Sequence, residues 1–498
     1  MKSKIRNRKS IAILGMESLG ILLFFLLVRT DSDIAMLRLT GLAALVSLCV
    51  TLSVLHSVSR TFSYFHLFIA FAYLFSFGQS MLMLFGYRLP KSAFSISSSG
   101  FSAVTIRWSS LFVILALQCT SIGYCLISRK TSVTDHMAEI SDRRSALTVG
   151  WGLLLLSIVP TFYLLVKDIV VTFTVSYGST LGPRHGIDKI CQLISGFFPS
   201  SLLILFNFEQ RRKQRRIVYL LILAFCALEV IGGSRIEVFR LAVTLFIVAF
   251  VVRKSLTRKN LIALFLLLIV GLFVFSLVSS ARIYLNDVSN PAVFIAETMG
   301  SLLKKNFLLS AVGEMGNTQI INTLVYAECP EKVGFQYGFS YVKMLWAILP
   351  NIWGKAYTGY IGVDITFSPL YSLTEAGLGA SYVSEAYWNF GWFALLYCAF
   401  FGAAIGKTEN ILTDHANRKQ SSAVPIFLAL YVMFFIIFMV RGEMLEFGRS
   451  MVYYAIIPVL LMRWYDRMIR EKKQGYSGGK MNKILGKISS RIPGRNRP

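Results

Sequence analysis

Long apolar runs separated by short polar segments recur along almost the whole chain. A helix that crosses a bilayer needs about 20 mostly apolar residues, and twelve stretches of the sequence come near that length. These stretches are residues 11–28, 34–57, 63–86, 108–127, 148–166, 190–208, 217–233, 236–252, 260–280, 385–406, 423–440 and 448–463. The pattern predicts an all-α polytopic membrane protein with about 12 transmembrane helices.

The lengths of the connections divide the predicted protein into four parts. Residues 1–281 hold transmembrane helices 1–9, and residues 282–384 form one long connection on the outer side. Residues 385–465 hold helices 10–12, and residues 466–498 form a basic cytoplasmic tail. Such a tail favours attachment to anionic membrane lipid.

The composition supports a membrane protein and excludes several other classes. Of the 498 residues, 55% are hydrophobic and 15% are charged, whereas soluble domains carry about 25% charged residues. All seven cysteines except Cys329 lie in apolar runs, without a CxxC motif or a Cys/His spacing. A disordered chain and a secreted disulfide scaffold are therefore excluded, and no zinc site is predicted.

The distribution of positive charge predicts the orientation in the membrane. The 51 Lys and Arg against 25 Asp and Glu give a net charge of +26, which in a membrane protein first indicates basic cytoplasmic loops. With the N-terminus inside, the inner segments carry 33 of the basic residues and the outer segments carry 16. We therefore expect both termini in the cytoplasm and no nucleic acid as a partner.

The connection 282–384 is long enough to have a function of its own. Within it, residues 340–351 predict an amphipathic or re-entrant helix that ends at a proline and places Trp346 at the bilayer interface. The connection is thus expected to be a lid near the membrane that carries short amphipathic helices. Asp364 and Glu375 lie in a stretch rich in Gly, Ser and Thr, where the backbone can approach a ligand closely.

Charged residues at the ends of spans are candidates for function, because charge in lipid is costly. After the predicted seventh span, two glycines break the helix, and Arg235 stands at the start of the next helix. An arginine fork beside free backbone N–H groups suits a phosphate. The structural alternative is an internal Glu237–Arg240 pair, with Arg235 extending to the membrane surface.

Two further places bring arginines and carboxylates to the predicted outer face. Between spans 11 and 12, Arg441 and Arg449 could hold another phosphate or a sugar, or Arg449 could pair locally with Glu446. Arg282 ends span 9 and Glu385 begins span 10. The structural alternatives are interface anchoring for Arg282 and a favourable helix-dipole position for Glu385.

Aromatic side chains expected near the same face offer surfaces on which sugar rings stack. They are Tyr177, Tyr382, Tyr387 and Trp388. Arginines without a cage of Asp and Glu indicate a pyrophosphate held by guanidinium groups rather than by Mg²⁺, so neither a metal nor a cofactor is predicted. The chemistry that uses these groups is transfer of a sugar from a lipid pyrophosphate outside the cytoplasm.

Several short stretches resemble those of one family. They are GGSR (232–235), WAILPNIWGK (346–355), SEAYWNFGWFALLYCAFFGAAIG (384–406), VRGEMLEFGRS (440–450) and SYGSTLGPRHG (176–186). In their spacing and order, from about residue 150 to residue 465, the chain resembles the Wzy-class oligosaccharide repeat-unit polymerases of bacteria. This class includes the O-antigen and enterobacterial common antigen polymerases.

The resemblance implies a GT-C-like fold and a lipid-pyrophosphate-dependent glycosyltransferase in the cytoplasmic (inner) membrane of a bacterium. It implies that undecaprenyl-pyrophosphate-linked glycans are both donor and acceptor, and that a polysaccharide chain-length regulator is a partner. Carried onto this chain, the pyrophosphates would be bound by Arg235, Arg282, Arg441 and Arg449. The acceptor hydroxyl would be deprotonated by Glu385, Glu375 or Asp364, with His185 as an outside candidate.

Two other functions stay open. A lipid-linked oligosaccharide flippase would show internal repeats and charges at the membrane midplane, whereas this chain shows no repeat and gathers its charges at the outer surface. A polysaccharide ligase would share the architecture. Related lipid-glycan ligases use a histidine in a long outer loop, and residues 282–384 contain none. The sequence therefore favours a polymerase.

Overall fold

The computed structural model describes residues 2–59, 63–87, 95–129, 139–174, 186–232, 236–247, 307–346 and 380–471, with positions 89, 184, 262, 300 and 348. Within these residues, nine helical stretches are long and apolar enough to cross a membrane. They are Asn7–Leu27, Asp33–Val58, Tyr64–Leu84, Ala103–Ile127, Arg143–Thr172, Ile187–Phe208, Tyr382–Ala416, Ala423–Val440 and Leu445–Glu471. The prediction of an all-α polytopic membrane protein is confirmed.

Three of the twelve predicted spans are not among these nine stretches. Span 217–233 corresponds to a helix at Arg212–Ile231, and span 236–252 begins as a helix at Ile236–Ile247. Span 260–280 lies outside the described residues apart from position 262. The total of 12 helices and the GT-C-like fold therefore stay predictions.

Helices and two short strands make up the described part of the chain. The helices are α1 (Lys2–Leu27), α2 (Asp33–Ser59), α3 (Tyr64–Leu84), α4 (Ala103–Ile127), α5 (Arg143–Thr174), α6 (Ile187–Ser195), α7 (Phe197–Phe208), α8 (Arg212–Ile231), α9 (Ile236–Ile247), α10 (Phe307–Met315), α11 (Thr318–Glu328), α12 (Phe339–Trp346), α13 (Tyr382–Phe390), α14 (Ala394–Ala416), α15 (Ala423–Ile436) and α16 (Leu445–Met451). The strands are β1 (Glu139–Ile140) and β2 (Gln420–Ser421). Helix α16 continues through a π-helical segment at Val452–Ile456.

Contacts between helix ends distinguish the two ends of the bundle. At one end, which we name the N-terminal face, the Asn7 side-chain amide near the start of α1 donates hydrogen bonds to the carbonyl oxygens of Cys125 and Ser128 at the end of α4 (2.8 and 2.9 Å). At the other end, which we name the opposite face, Arg107 near the start of α4 donates to the carbonyl oxygen of Val28 just after α1 (3.2 Å).

The N-terminal face is held together by contacts between segments far apart in the sequence. Strand β1 pairs in parallel with β2. Asp142 accepts hydrogen bonds from the backbone N–H of Ala423 and the hydroxyl of Ser422, both at 2.6 Å, and so caps α15. Arg143 at the start of α5 donates to the carbonyl oxygen of Phe208 at the end of α7 (2.7 Å). The ends of α5 and α8 consequently lie at the opposite face.

Two glycines allow α4 and α14 to pack very closely. An added methyl group at Gly123 would overlap the carbonyl oxygen of Ala399, and one at Gly402 would overlap the carbonyl oxygen of Thr120. Small residues permit such close approach between helices in membranes, where dispersion and hydrogen bonds replace the hydrophobic effect. Helices α4 and α14 therefore form a rigid pair in the bundle.

The predicted span 10 is not one straight helix. Helix α13 gives way to a turn at Gly391, whose φ of +55° is unfavourable for other residues. The ring of Tyr382 stacks on that of Phe401 (4.7 Å between centroids), and the ring of Phe390 lies 6.4 Å from that of Tyr397. Helix α13 thus folds back along α14, and α14 is the part long enough to cross the membrane.

Part of the predicted lid contributes to the packed interior. Gln79 of α3 donates through Nε2 to Oδ1 of Asn317, between α10 and α11 (2.7 Å). Thr323 of α11 contacts the Ser109 hydroxyl of α4 (3.3 Å), and residues 318–325 are all buried. Helices α10 and α11 therefore pack among α3 and α4 instead of lying above them, because their polar side chains find hydrogen-bond partners there.

Candidate functional site

A cavity of about 430 Å³ lies between α5, α6, α8, α9, α15 and α16. Its lining includes Asp168 near the end of α5, Glu229 near the end of α8, Arg240 in the first half of α9 and Glu446 near the start of α16, which places the cavity toward the opposite face. Its charged lining residues are Asp168, Arg184, Glu229, Arg240, Glu446 and Arg449. The rest of the lining combines apolar side chains with Ser, Thr, Gln and Tyr.

Two irregular helix segments border this cavity. Helix α6 gives way to α7 at Gly196, where any side chain would overlap the ring of Tyr454. Tyr454 lies in the π-helical segment and donates a hydrogen bond to the carbonyl oxygen of Leu193 (3.0 Å). Irregular backbone at membrane depth is tolerated where it lines a cavity, and π-helical turns are frequent at functional sites. Both irregularities favour a functional role for this place.

Arg184 reaches the cavity from the connection between α5 and α6. Its Nη2 atom lies 2.7 Å from Oδ2 of Asp168 on α5. A neighbouring pair joins Lys167 of α5 to Asp188 of α6 but is not part of the lining. The sequence did not single out Arg184 or Asp168, although Arg184 lies in the stretch 176–186 that contributed to the resemblance. No feature of the sequence marks these two residues as functional, because charged residues just outside a span are usually solvated.

Arg240 is buried in the wall of the cavity, with 7% of its surface exposed. Its guanidinium carbon lies 4.5, 5.1 and 4.9 Å from the ring centroids of Phe434, Phe435 and Phe438. Cation–π contacts of this kind stabilise a guanidinium group in apolar surroundings. The alternative pairing of Arg240 with Glu237 involves a side chain outside the described residues and stays a prediction.

Helix α16 brings Glu446 and Arg449 to the cavity, and both side chains are exposed. The predicted phosphate-binding residue Arg449 therefore meets the other cavity arginines. The predicted partner Arg441 precedes α16 and is not among the lining residues. Phosphate binding by either arginine stays a prediction.

Glu385 is fully buried, away from the cavity lining. Its Oε1 accepts a hydrogen bond from the Ser340 hydroxyl (2.9 Å), and its Oε2 accepts one from the backbone N–H of Met444 (2.7 Å). The carboxylate therefore joins α13, α12 and the start of α16. Its predicted role as a base is not tested by this geometry, which favours a structural use of both oxygens.

The three described aromatic residues predicted to stack on sugars lie inside the protein. Tyr382 and Trp388 are each 1% exposed and Tyr387 is 6% exposed. The Tyr382 ring stacks on Phe401, and the Trp388 indole donates to the carbonyl oxygen of Gly334 (3.1 Å). Their burial favours a packing role, and sugar stacking stays a prediction.

The remaining predicted site residues lie outside the described residues. They are the predicted bases Asp364, Glu375 and His185, the predicted phosphate ligands Arg235 and Arg282, and the aromatic Tyr177. Gly232, which precedes Arg235 by three positions, lines the cavity.

The charged side chains of the cavity are of two kinds, guanidinium groups and carboxylates. Guanidinium groups bind phosphate oxygens through paired, charge-assisted hydrogen bonds, and carboxylates can accept a proton from a sugar hydroxyl. Among the described residues, no three or more His, Cys, Asp and Glu side chains form a group that could hold a metal ion. The lining therefore contains the types of group that binding of a phosphorylated ligand and transfer to a hydroxyl would require.

The model of one protein family matches most of the chain. The family is described as O-antigen polysaccharide polymerase Wzy, and the match covers residues 13–473. No curated protein and no solved structure matches the chain. Together with the nine apolar helical stretches, the match confirms a multi-pass membrane enzyme of polysaccharide synthesis. The chain therefore belongs to the Wzy family of O-antigen polysaccharide polymerases.

Proposed function

We propose that this chain joins undecaprenyl-pyrophosphate-linked oligosaccharide repeat units into surface polysaccharide on the outer face of the bacterial cytoplasmic membrane. The glycosyl transfer is metal-independent and releases the lipid pyrophosphate. Polymerisation of O-antigen repeat units follows from the family. The observation that supports the rest of the proposal is the meeting of Arg184, Arg240 and Arg449 at one cavity.

The arginines act on the leaving group. The oxygen of the acceptor hydroxyl attacks the anomeric carbon of the donor, and the bond from this carbon to the pyrophosphate oxygen breaks. The electron pair of that bond leaves with the lipid pyrophosphate. Guanidinium groups held in place before the reaction stabilise the negative charge that develops there. One displacement of this kind inverts the configuration at the anomeric carbon.

A carboxylate takes the proton that the acceptor hydroxyl loses. Asp168, Glu229 and Glu446 line the cavity and are candidates for this step. The bases predicted from the sequence, Asp364 and Glu375, lie outside the described residues and stay candidates as well.

Apolar side chains on one side of the cavity suit a polyprenyl chain. Leu164 and Leu165 of α5 and Phe225 of α8 line this side. Ligand sites commonly combine apolar walls with a few polar groups that fix orientation. A lipid pyrophosphate would therefore place its charged head at the arginines and its chain against α5 and α8.

The charges at the two faces support a cavity that opens outward. The start of α8 and the residue before it, at the N-terminal face, carry five basic residues, Arg211, Arg212, Lys213, Arg215 and Arg216. Basic residues of this kind concentrate on the cytoplasmic side of a membrane. The opposite face, with the cavity, would then be the outer one, and both termini would be cytoplasmic.

A gel of surface glycan tests the proposal in cells. A strain that lacks this chain should show single repeat units on the lipid anchor in place of the parent's ladder, because export and ligation continue without polymerisation. Loss of every band, the single repeat included, would contradict a polymerase and point to a flippase or a ligase.

A reconstituted reaction tests the chemistry. The purified chain in lipid nanodiscs should convert lipid-linked repeat units, extracted from the deletion strain, into longer lipid-linked glycans and free undecaprenyl pyrophosphate. The same rate in EDTA is expected for a metal-independent transfer. A requirement for Mg²⁺, or glycan that stays one repeat long, would contradict the proposed mechanism. A chain-length regulator, the proposed partner, should change the product lengths when it is added.

A further inference from the structure

We propose that Glu385 is a positioning residue, and that through it residues 336–346, together with Ile348, hold α16 in the orientation that presents Arg449 to the cavity. We name this segment, which contains α12, the outer strap. The inference rests on the proposed function only where activity is measured.

Glu385 is the point at which three segments meet. Its two oxygens accept hydrogen bonds from the Ser340 hydroxyl of the outer strap and from the Met444 N–H. The Asn389 side-chain amide supports the junction, because it donates to the Ser340 oxygen and to the Glu385 carbonyl oxygen, both at 2.8 Å. A fully buried carboxylate with such partners is costly to disturb, since each donor left behind would be buried without an acceptor.

The Met444 N–H belongs to the start of α16. The first N–H groups of a helix have no partner within the helix, and a carboxylate near this end is also favoured by the helix dipole. Glu385, which lies on another helix, therefore accepts the hydrogen bond that a local capping side chain would otherwise accept. The orientation of α16 depends on this contact.

The outer strap is anchored along α13 by its backbone. The N–H groups of Gln336 and Tyr337 donate to the carbonyl oxygens of Trp388 and Asn389 (2.9 and 3.0 Å). The N–H of Gly338 donates to Oδ1 of Asn389 (3.0 Å). The strap therefore starts from a fixed position at the turn between α13 and α14.

The far end of the strap packs on α16 and the segment that follows it. A methyl group added at Gly448 would lie 2.6 Å from Cγ of Met344, so a larger residue at this position requires the Met344 side chain to move or to be shortened. The Tyr453 hydroxyl donates to the carbonyl oxygen of Ile348 (2.9 Å). Two contacts, at positions five residues apart on the helix side, thus hold the strap along the helix.

The strap and the cavity occupy different sides of the same helix. Gly448 and Tyr453 face the strap, whereas their neighbours Arg449 and Tyr454 line the cavity. A shift of the strap would therefore move the cavity residues with it. This explains how an outer connection without lining residues in the described cavity can influence the reaction.

Substitution of Glu385 separates a positioning role from a catalytic one. In Glu385→Gln, the amide oxygen can still accept from Met444 and the amide nitrogen can still pair with Ser340. We expect kcat and KM in the nanodisc assay within roughly 3-fold of the parent, with an unchanged pH profile, whereas Glu385→Ala should lower kcat/KM roughly 10-fold or more. If Glu385 were the base, the Gln variant would lose roughly 100- to 10,000-fold in kcat and its pH profile would change. That outcome overturns the inference.

A disulfide between the strap and α16 gives a readout that needs no activity. The pair Met344→Cys with Gly448→Cys should close on mild oxidation, which is scored as two fewer thiols labelled by maleimide-polyethylene glycol in denatured protein. Glu385→Ala should slow closure at least several-fold, and Glu385→Gln should not. The single variant Met344→Cys is the control for labelling.

The two readouts keep the inference separate from the proposed function. A strap that never cross-links in the otherwise unchanged chain, or that cross-links equally fast in the Ala variant, overturns the positioning role even if polymerisation is observed. Absence of polymerisation by the parent chain would contradict the proposed function and leave the cross-linking result to decide on the strap.

Discussion

Nη2 of Arg184 donates a hydrogen bond to Oδ2 of Asp168 at 2.7 Å, and both side chains line the cavity. The neighbouring pair of Lys167 on α5 and Asp188 on α6 does not line the cavity. Two neighbouring cations, one on α5 and one just before α6, are thus each held by an aspartate, and only Arg184 lines the cavity. This difference allows a matched comparison.

Arg184→Ala should lower kcat/KM for lipid-linked repeat units roughly 100-fold, because a cation at the departing pyrophosphate is lost. Arg184→Lys should have a kcat/KM between those of Arg184→Ala and the parent, since lysine keeps the charge but cannot form the paired hydrogen bonds of a guanidinium group. Lys167→Ala is the control and should react at nearly the parent rate. Equal losses in the two Ala variants would show that the connection needs its ion pairs for folding and not for substrate.

The contact of Arg240 with three phenylalanines predicts a measurable coupling. In a double-mutant cycle with Phe435→Leu and Arg240→Met, the interaction free energy should be about 0.5–2 kcal/mol, the range of cation–π contacts. Thermal unfolding in detergent measures the four proteins of the cycle. Strictly additive effects would mean that the ring packs on α9 without attracting the guanidinium group.

The close approach of α4 and α14 predicts different results for two glycine substitutions. Gly402→Ala forces a methyl group against the carbonyl oxygen of Thr120 and should destabilise the protein by about 3 kcal/mol or more. Gly20→Ala in α1 meets no atom within 4 Å and should be neutral or stabilise by up to about 1 kcal/mol. Yield from membranes and the unfolding temperature compare the two. A tolerated Gly402→Ala would contradict the described contact.

The thiol of Cys329 should report the burial of the chain at the end of α11. Cys329 is 3% exposed, and burial, with a smaller contribution from the Glu328 carboxylate, raises its pKa to about 12. Because the thiolate is the reactive form, its alkylation rate in folded protein should rise tenfold per pH unit from pH 8 to pH 10 without levelling off. In SDS the rate should level off near the ordinary thiol pKa of about 8.5. A folded-state plateau below pH 10 would contradict burial of this segment.

The sequence predicted the long helices well, because a run of apolar residues has few alternatives to a span in lipid. The predicted spans 34–57, 63–86 and 423–440 lie close to the helical stretches Asp33–Val58, Tyr64–Leu84 and Ala423–Val440. Breaks inside apolar runs were not predicted. The turns at Gly196 and Gly391 depend on a partner ring and on a positive φ, and neither is visible in hydropathy.

The candidate site was predicted only in part, because it is built from residues that look unremarkable in sequence. Arg449 was proposed from its short loop, and it lines the cavity. Asp168 and Arg184 looked like ordinary charges at the end of a span, and only the fold of α6 back toward α5 brings them to the site. Glu385 was chosen as a carboxylate at a helix start, and the distant Met444 that occupies one of its oxygens could not be inferred from local sequence.

The pairing of connections at the N-terminal face has a consequence for synthesis of the protein. Asp142 and Ala423, at the start of the helix that Asp142 caps, are 281 positions apart. At the usual rate of translation, α15 is therefore made roughly 15 to 55 s after Asp142. During this interval the side of α4 that carries Gly123 faces lipid or an insertion factor, since α14 has not yet been made. Assembly of the membrane bundle is therefore decided late, when α14 inserts beside a helix that has already been in the bilayer for most of the chain's translation.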